Sequence, residues 1–519
     1  MCSFRFRFSL FFLIACLSLN GQSLINMGII HDNGASAVSL MLDDSSVVKL
    51  AVPRPLFSFR LDDAYFESDD VPAGLVANRF LMVYPGGAEA GYGPRGGSHP
   101  GFMAELVLRN IWNDTITVTN VVPFGEKENT AFITGAGPRD LARANLFLPG
   151  KSPVRVILPD NAWEMGFSTF DAAPGLSVAS IARRISSDRG ITRRYETILP
   201  PGASVTYHIH ADLYRGEWQE GLRLMFAGRW LHDLETFDEV MYNREDLKWI
   251  RTSYLMILQM AWDRELRDRF TGKEAFEGYL AEYNRLFGHL DVYGIWPTWP
   301  RLGLDDRNQW DLYRDLPGGT AALRRLSREA RSQGCRFFIA YNPWDKSTRG
   351  EDHLSNMAQI IAETEADGVV LDTEGSSSPE LQQAADTVRS GVVMYSEGMP
   401  VVRDMPGIVA ARVHNALWLS PELNLNKVIR PDFAIFRVAD VGEDVLHREI
   451  SVAFFNGYGT ELNMFRPGGR GDEFRKDLNY LAQTTYMLRR NSDAFAGGNW
   501  TPLIGSGADR VYVNSWNAG

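Results

Sequence analysis

Cysteine is almost absent: there are three in 519 residues, and two of them, Cys2 and Cys16, fall within the first 22. Only Cys335 is left as a thiol, which excludes a disulfide framework and a cysteine metal site. Basic blocks are also missing. The 53 Lys and Arg are outnumbered by 64 Asp and Glu, for a formal charge of −11, so a nucleic-acid partner has no electrostatic footprint. No HExxH, G-x-S-x-G or EF-hand loop occurs, so zinc-peptidase, serine-esterase and calcium-loop chemistry has no support. No glycine-rich phosphate turn follows a strand, and no cofactor or metal is implied.

Core material is plentiful, with 45% hydrophobic and 12% aromatic residues, which excludes a disordered or fibrous chain. The length exceeds one ordinary domain. About 150 residues per domain suggests three, and two large domains with a remnant fit as well.

The N-terminus has a signal-peptide layout. Arg5 and Arg7 precede a short apolar run, residues 8–15, and polar residues follow. The run is far below the roughly 20 residues of a membrane span. Leu13-Ile14-Ala15-Cys16 resembles the bacterial lipobox, which implies a lipid anchor at Cys16; ordinary cleavage nearer Ser23 is the alternative. Export follows from either, to the periplasm, the outer membrane or the medium. Loss of residues 1–22 removes two arginines and no acid, moving the charge from −11 to −13.

Residues 23–212 hold many short alternating runs, such as AELVLRNIW, SPVRVILPD and ASVTYHIHADL, separated by glycine and proline. This spacing predicts an antiparallel β-sandwich. Residues 213–250 read as a helical link. From 251 to 495 short β runs alternate with amphipathic helices, the rhythm of parallel α/β architecture. Five strands are clear: YLMILQM, HLDVYGIW, CRFFIAY, GVVLDT and GVVMYS. After these the signal blurs, with RPDFAIFRV and TELNMF as further strands. The count predicts a (β/α)8 TIM barrel, with an open doubly wound sheet as runner-up. Residues 496–519 read as the start of a small C-terminal β-domain, as though the chain stops inside it.

In such a barrel, chemistry sits at the C-terminal strand ends. Those ends carry Trp262 and Asp263, then Trp296 and Trp299. Tyr341, Asn342, Trp344 and Asp345 follow the third strand, Asp372 and Glu374 the fourth, and Glu397 the fifth. Aromatic faces stack on sugar rings, carboxylates bind hydroxyls, and two carboxylates at the scissile bond supply nucleophile and acid. Asp372 and Glu397 are the sharpest pair. They are one βα unit apart, so neighbouring strands bring them near the roughly 5–5.5 Å of a retaining mechanism. Asp372 is expected to attack the anomeric carbon. Glu397, its pKa raised by apolar surroundings and the neighbouring charge, is expected to serve as acid/base. Glu374 is a rival acid or a substrate ligand. Arg403 contacts substrate or pairs with Asp404. Asp305, Asp306, Arg307, Trp310 and Asp311 lie in a long loop that either covers the cleft or is solvated, and His414 reads as core.

A secretion signal, a large sandwich, a helical link with a GEW turn, and an aspartate ending the fourth strand together resemble the α-galactosidase-like retaining glycoside hydrolases. Endo-α-N-acetylgalactosaminidases and an uncharacterised set of bacterial glycoside hydrolases belong to the same broad group. The resemblance implies a nucleophile at Asp372 in GVVLDTEG and a glutamate acid/base at Glu397 in VVMYSEGMP. The sequence departs in carrying Val370 where α-galactosidases have lysine. Their usual acid/base is an aspartate on the sixth strand, for which Asp432 and Asp440 are the nearest residues. An oligo- or polysaccharide substrate follows, while sugar, linkage and oligomeric state stay open. The competing reading is a non-catalytic carbohydrate-binding or cell-surface scaffold on a degenerate barrel. A lyase or esterase would need a Tyr/His/Arg or Ser/His constellation at the strand ends, and none is evident.

Overall fold

The computed structural model describes residues 24–32, 35–42, 46–50, 52–82, 102–135, 144–159, 165–193, 196–228, 237–296, 307–342, 345, 352–374, 377–413, 421–441, 446–464 and 472–517. The expected signal segment and Cys16 lie outside them. The chain divides into two compact units: Met1–Val156 with Ala162–Glu235, and Thr236–Gly519 with Ile157–Asn161.

The first unit is antiparallel. In one sheet Val154–Ile157, Ala144–Phe147, Ala131–Gly135, Met165–Ala173, Leu176–Asp188, Ser204–Tyr214, Phe102–Asn110 and Leu75–Met82 are neighbours in that order. A second sheet orders Ile191–Thr192, Glu196–Leu199, Ile116–Pro123, Phe57–Leu61 and Ala64–Glu67. A three-stranded sheet is built from Leu24–Asp32, Ala35–Leu42 and Val47–Lys49. Period-two patterning explains the packing: in Phe102–Asn110 the residues Phe102, Ala104, Leu106 and Leu108 point inward and are buried. They share one core with Phe57, Phe59, Ile116 and Val118 of the second sheet, which makes the unit a β-sandwich.

The second unit is a closed parallel barrel. Its strands are β1 Leu255–Met260, β2 Val292–Trp296, β3 Arg336–Tyr341, β4 Gly368–Leu371, β5 Val393–Ser396, β6 Ala410–Val413, β7 Ala434–Asp440 and β8 Gly459–Met464, with β8 pairing back onto β1. The expected (β/α)8 fold is therefore present, but its sixth strand is not RPDFAIFRV. That segment is β7. The sixth is the four-residue β6, reached from β5 through a 3-10 turn, Val402–Gly407, that contains Pro406. With no helix there, no 3.6-residue period marks the unit. The antiparallel pair Trp500–Ile504 and Val513–Trp516 belongs to this unit, and Asn514 donates to the carbonyl of Phe455 at 2.9 Å.

Large rings fill the barrel because small residues face them. A Cβ added to Gly368 on β4 would stand 2.2 Å from the Phe338 ring of β3, and one on Gly459 of β8 would stand 2.5 Å from the Phe436 ring of β7. Between them Tyr395 of β5 sits edge-on to both rings, with centroids 6.3 and 5.7 Å away. Gly368→Val is expected to destabilise the protein by about 1–3 kcal/mol through overpacking, measured by denaturant unfolding. A paired Phe338→Leu should recover part of the loss.

Candidate active site

The four-residue β4 ends in a turn that sets the site. Asp372 is 6% exposed, and its amide donates to the Tyr341 carbonyl of β3 at 2.8 Å. Thr373 follows with φ of 61°, an uncommon conformation for a β-branched residue. In that conformation its N–H is hydrogen-bonded to the Glu397 carboxylate. Such strain is held only where surrounding contacts over-determine it.

Asn342, fully buried at the end of β3, donates from Nδ2 to Asp372 Oδ2 at 3.4 Å. Gln309 fixes Asn342 in turn. Its Oε1 accepts from the Asn342 amide at 2.8 Å, and its Nε2 donates to the Asn342 carbonyl at 2.8 Å.

Glu397 is held from the opposite side. Its carboxylate accepts from Arg412 of β6 and from the Thr373 N–H, and it interacts with Asp372. Arg412 also binds Glu461 of β8 at 2.8 Å, and the hydroxyl of Tyr395 donates to that same glutamate at 2.5 Å. The Arg412 guanidinium lies 5.4 Å from the centroid of the Trp296 ring. A buried chain of charge thus runs from β8 through β6 to the β4 and β5 termini. Asn342 was noted only as part of the third strand's end, and Gln309, Arg412 and Glu461 were not singled out from sequence. An arginine and a glutamate inside strands of an apolar barrel are the signal that points to them.

The electrostatics correct one expectation. Burial pushes the Glu397 carboxyl up, but Arg412, the hydrogen bond with Asp372 and the Thr373 N–H outweigh it, and its pKa lies below the ordinary value, not above it. Glu374 shows the opposite shift: burial raises its carboxyl pKa. The Tyr341 phenol is pushed up to about 12, by burial and then by the charge of Glu374.

The other rim residues divide between packing and exposure. Trp262 is 49% exposed after β1. Asp263 accepts from Gln259 Nε2 at 3.1 Å. Trp296 and Tyr341 are buried, and the Tyr341 ring stacks on Trp310 with centroids 5.6 Å apart, so both rings pack in the wall. Asp345 is buried and accepts from the Gln309 amide at 2.9 Å, a structural cap. Arg403 is exposed and pairs with Asp404 at 3.2 Å. Trp299, Trp344, Asp305, Asp306 and His414 lie outside the described residues.

Two further expectations change. Trp310 and Asp311 are not in a loop. They open the helix Gln309–Asp315, where Asn308 and Asp311 form a capping box, and Trp310 is fully buried. Neither Asp432 nor Asp440 is on the sixth strand. Asp432 precedes β7 at the opposite end of the barrel, bound by Arg251 and Arg430, while Asp440 ends β7. Ser378 caps the helix Pro379–Asp386, its Oγ accepting from the Leu381 amide at 3.3 Å.

Fold and site define a β-sandwich protein with a (β/α)8 barrel whose rim carries clustered carboxyls. Among solved structures the chain is similar to the ligand-free α-N-acetylgalactosaminidase NagBb from Bifidobacterium bifidum, at 12% identity over 90% of this chain and 93% of that one, TM-score 0.43. It is also similar to TtGalA, an α-galactosidase from Thermus thermophilus, at 12% identity over 88% and 99%, TM-score 0.36. A maltogenic α-amylase, AmyB from Thermotoga neapolitana, matches at 11% identity over 53% and 84%, TM-score 0.34. No family model and no curated protein matches the sequence.

Proposed function

We propose that the protein is an exported retaining glycoside hydrolase acting on an α-linked glycan, with Asp372 as nucleophile. The observation that carries the reading is one rim bearing two glutamates whose pKa values are pushed apart beside a buried aspartate. Such separation is how a protein assigns acid and base roles at one pH.

Asp372 attacks the anomeric carbon as the glycosidic C–O bond breaks, and the leaving oxygen takes a proton. Glu374 is assigned as the donor, because burial keeps it protonated to higher pH. Water then attacks the glycosyl ester while Glu374 carboxylate removes its proton, releasing Asp372. Two inversions give retention.

The sequence reading placed Glu397 in the acid role. It interacts directly with Asp372, which suits a partner of the nucleophile. Its ion pair with Arg412 favours the charged form. Glu397 is instead assigned to position Asp372. Activity therefore falls with rising pH as Glu374 loses its proton.

Screening the purified protein on aryl α- and β-glycosides, with product anomers followed by NMR, tests the function. Retention on an α-glycoside is expected, and no turnover on any glycoside overturns the reading in favour of a scaffold. Glu374→Gln should abolish the basic limb of the kcat/KM profile and cost about 10²–10⁴-fold on substrates with poor leaving groups. An unchanged basic limb would return the acid role to another residue.

A further inference from the structure

The sandwich unit contains a cleft of about 550 Å³ that the barrel chemistry does not use. That volume lies within the range of small-ligand sites. Its apolar floor is an aromatic pair. Phe132 and Phe147 are directly opposite on the neighbouring strands Ala131–Gly135 and Ala144–Phe147, with ring centroids 4.6 Å apart and planes 10° from parallel. On Ala131–Gly135 the inward residues Ala131 and Ile133 are buried, whereas Phe132 is half-exposed, as is Phe147 on its strand. These rings face away from their strand's buried side, where a cross-strand pair of smaller side chains would suffice for the sheet.

The walls are polar and carry acceptors. Glu126 lines the cleft and is fixed by Arg60, which binds its Oε2 at 3.0 Å. Asp171 is exposed at the rim, where Ser177 Oγ donates to Oδ1 at 2.9 Å. The wall bearing Glu126 and Glu128 is tied down by Arg54. Arg54, 9% exposed, donates to the Lys127 carbonyl and to Asn129 Oδ1, each at 3.0 Å, and to the Glu128 carbonyl.

Flat aromatic area beside fixed carboxylate acceptors suits a ligand with an apolar C–H face and donor hydroxyls at its edge. We propose that this cleft is a second carbohydrate site, which holds a segment of a glycan chain on the Phe132–Phe147 pair. It goes beyond the barrel reading and stands on different residues.

The test uses the full chain carrying Asp372→Ala, so that turnover plays no part. Short α- and β-linked oligosaccharides on an array, followed by isothermal titration of the best retained, read the binding. The pair Phe132→Leu with Phe147→Leu keeps apolar volume but removes the flat faces, and should weaken binding about tenfold or more. Asp171→Ala, at an exposed position, should weaken it with the melting temperature unchanged, and decides the matter if the double variant fails to fold. Absence of any retained glycan, or affinity unchanged by the variants, overturns the proposal. In the parent background the same cleft variants should hydrolyse a short aryl glycoside at the normal rate. Failure of glycan retention and failure of turnover are therefore separate results.

Discussion

Asp372→Ala is expected to lower kcat/KM on an activated aryl α-glycoside on the order of 10⁴-fold, because no covalent intermediate can form. The fold should survive. Asp372 sits at the end of β4, and the hydrogen bond from its main-chain amide to the Tyr341 carbonyl does not involve the side chain. Loss of the carboxylate leaves Asn342 Nδ2 without its Asp372 acceptor, a cost of about 1–3 kcal/mol. Added formate, small enough to occupy the vacated carboxylate position, should restore part of the rate. A variant that retains near-normal turnover removes Asp372 from the mechanism, and a variant that is merely unfolded shows no rescue.

Arg412→Ala should have the largest effect on stability. Arg412 and Glu461 are 2% and 0% exposed, and the guanidinium also neutralises Glu397. Removing one partner of a buried ion pair costs about 3–5 kcal/mol, since the remaining charge stays buried without compensation. A fall in melting temperature on the order of 10 °C is expected.

The pH dependence follows from the sign of the Glu397 shift. Its folded pKa lies below the ordinary value, so its contribution to stability is complete above that value and is lost as pH falls through the lowered one. Arg412→Ala should move that loss to higher pH. Arg412→Met combined with Glu461→Leu replaces buried charge with apolar volume and should recover part of the stability. Activity should not return, because Glu397 has lost the charge that keeps it ionised beside Asp372. Full recovery of activity in the double variant would show Arg412 to be structural only.

Several elements were legible along the chain because one local period carried each. The strand β4 stands out as a short apolar run that stops abruptly at Asp372, and β1, β2, β3 and β5 show the same texture between helices. The strand β6 was hidden. Only four residues long, it includes Arg412, and the turn before it contains Pro406 in place of a helix. Trp310 was misplaced for a different reason. A capping box of Asn308 and Asp311 looks like a polar loop until the helix behind it is known.

The rim carboxyls Asp372, Glu374 and Glu397 are set by sequence, since Asp372 and Glu397 directly follow strands, Glu374 lies in the turn after Asp372, and a strand end in a barrel faces the site. What each carboxyl does is a tertiary matter. Protonation depends on which charges approach through space, and Glu397 meets Arg412 15 residues away in the chain, while Arg412 is tied to Glu461 49 residues further on. Apolar surroundings and a neighbouring carboxyl predicted a raised Glu397; closure of the barrel brings the arginine beside it and lowers it. The sequence by itself therefore determined a sandwich followed by a barrel with acids at its mouth. Only the folded barrel decided how those acids divide the charge, because a pKa is fixed by neighbours in space and not by neighbours in the chain.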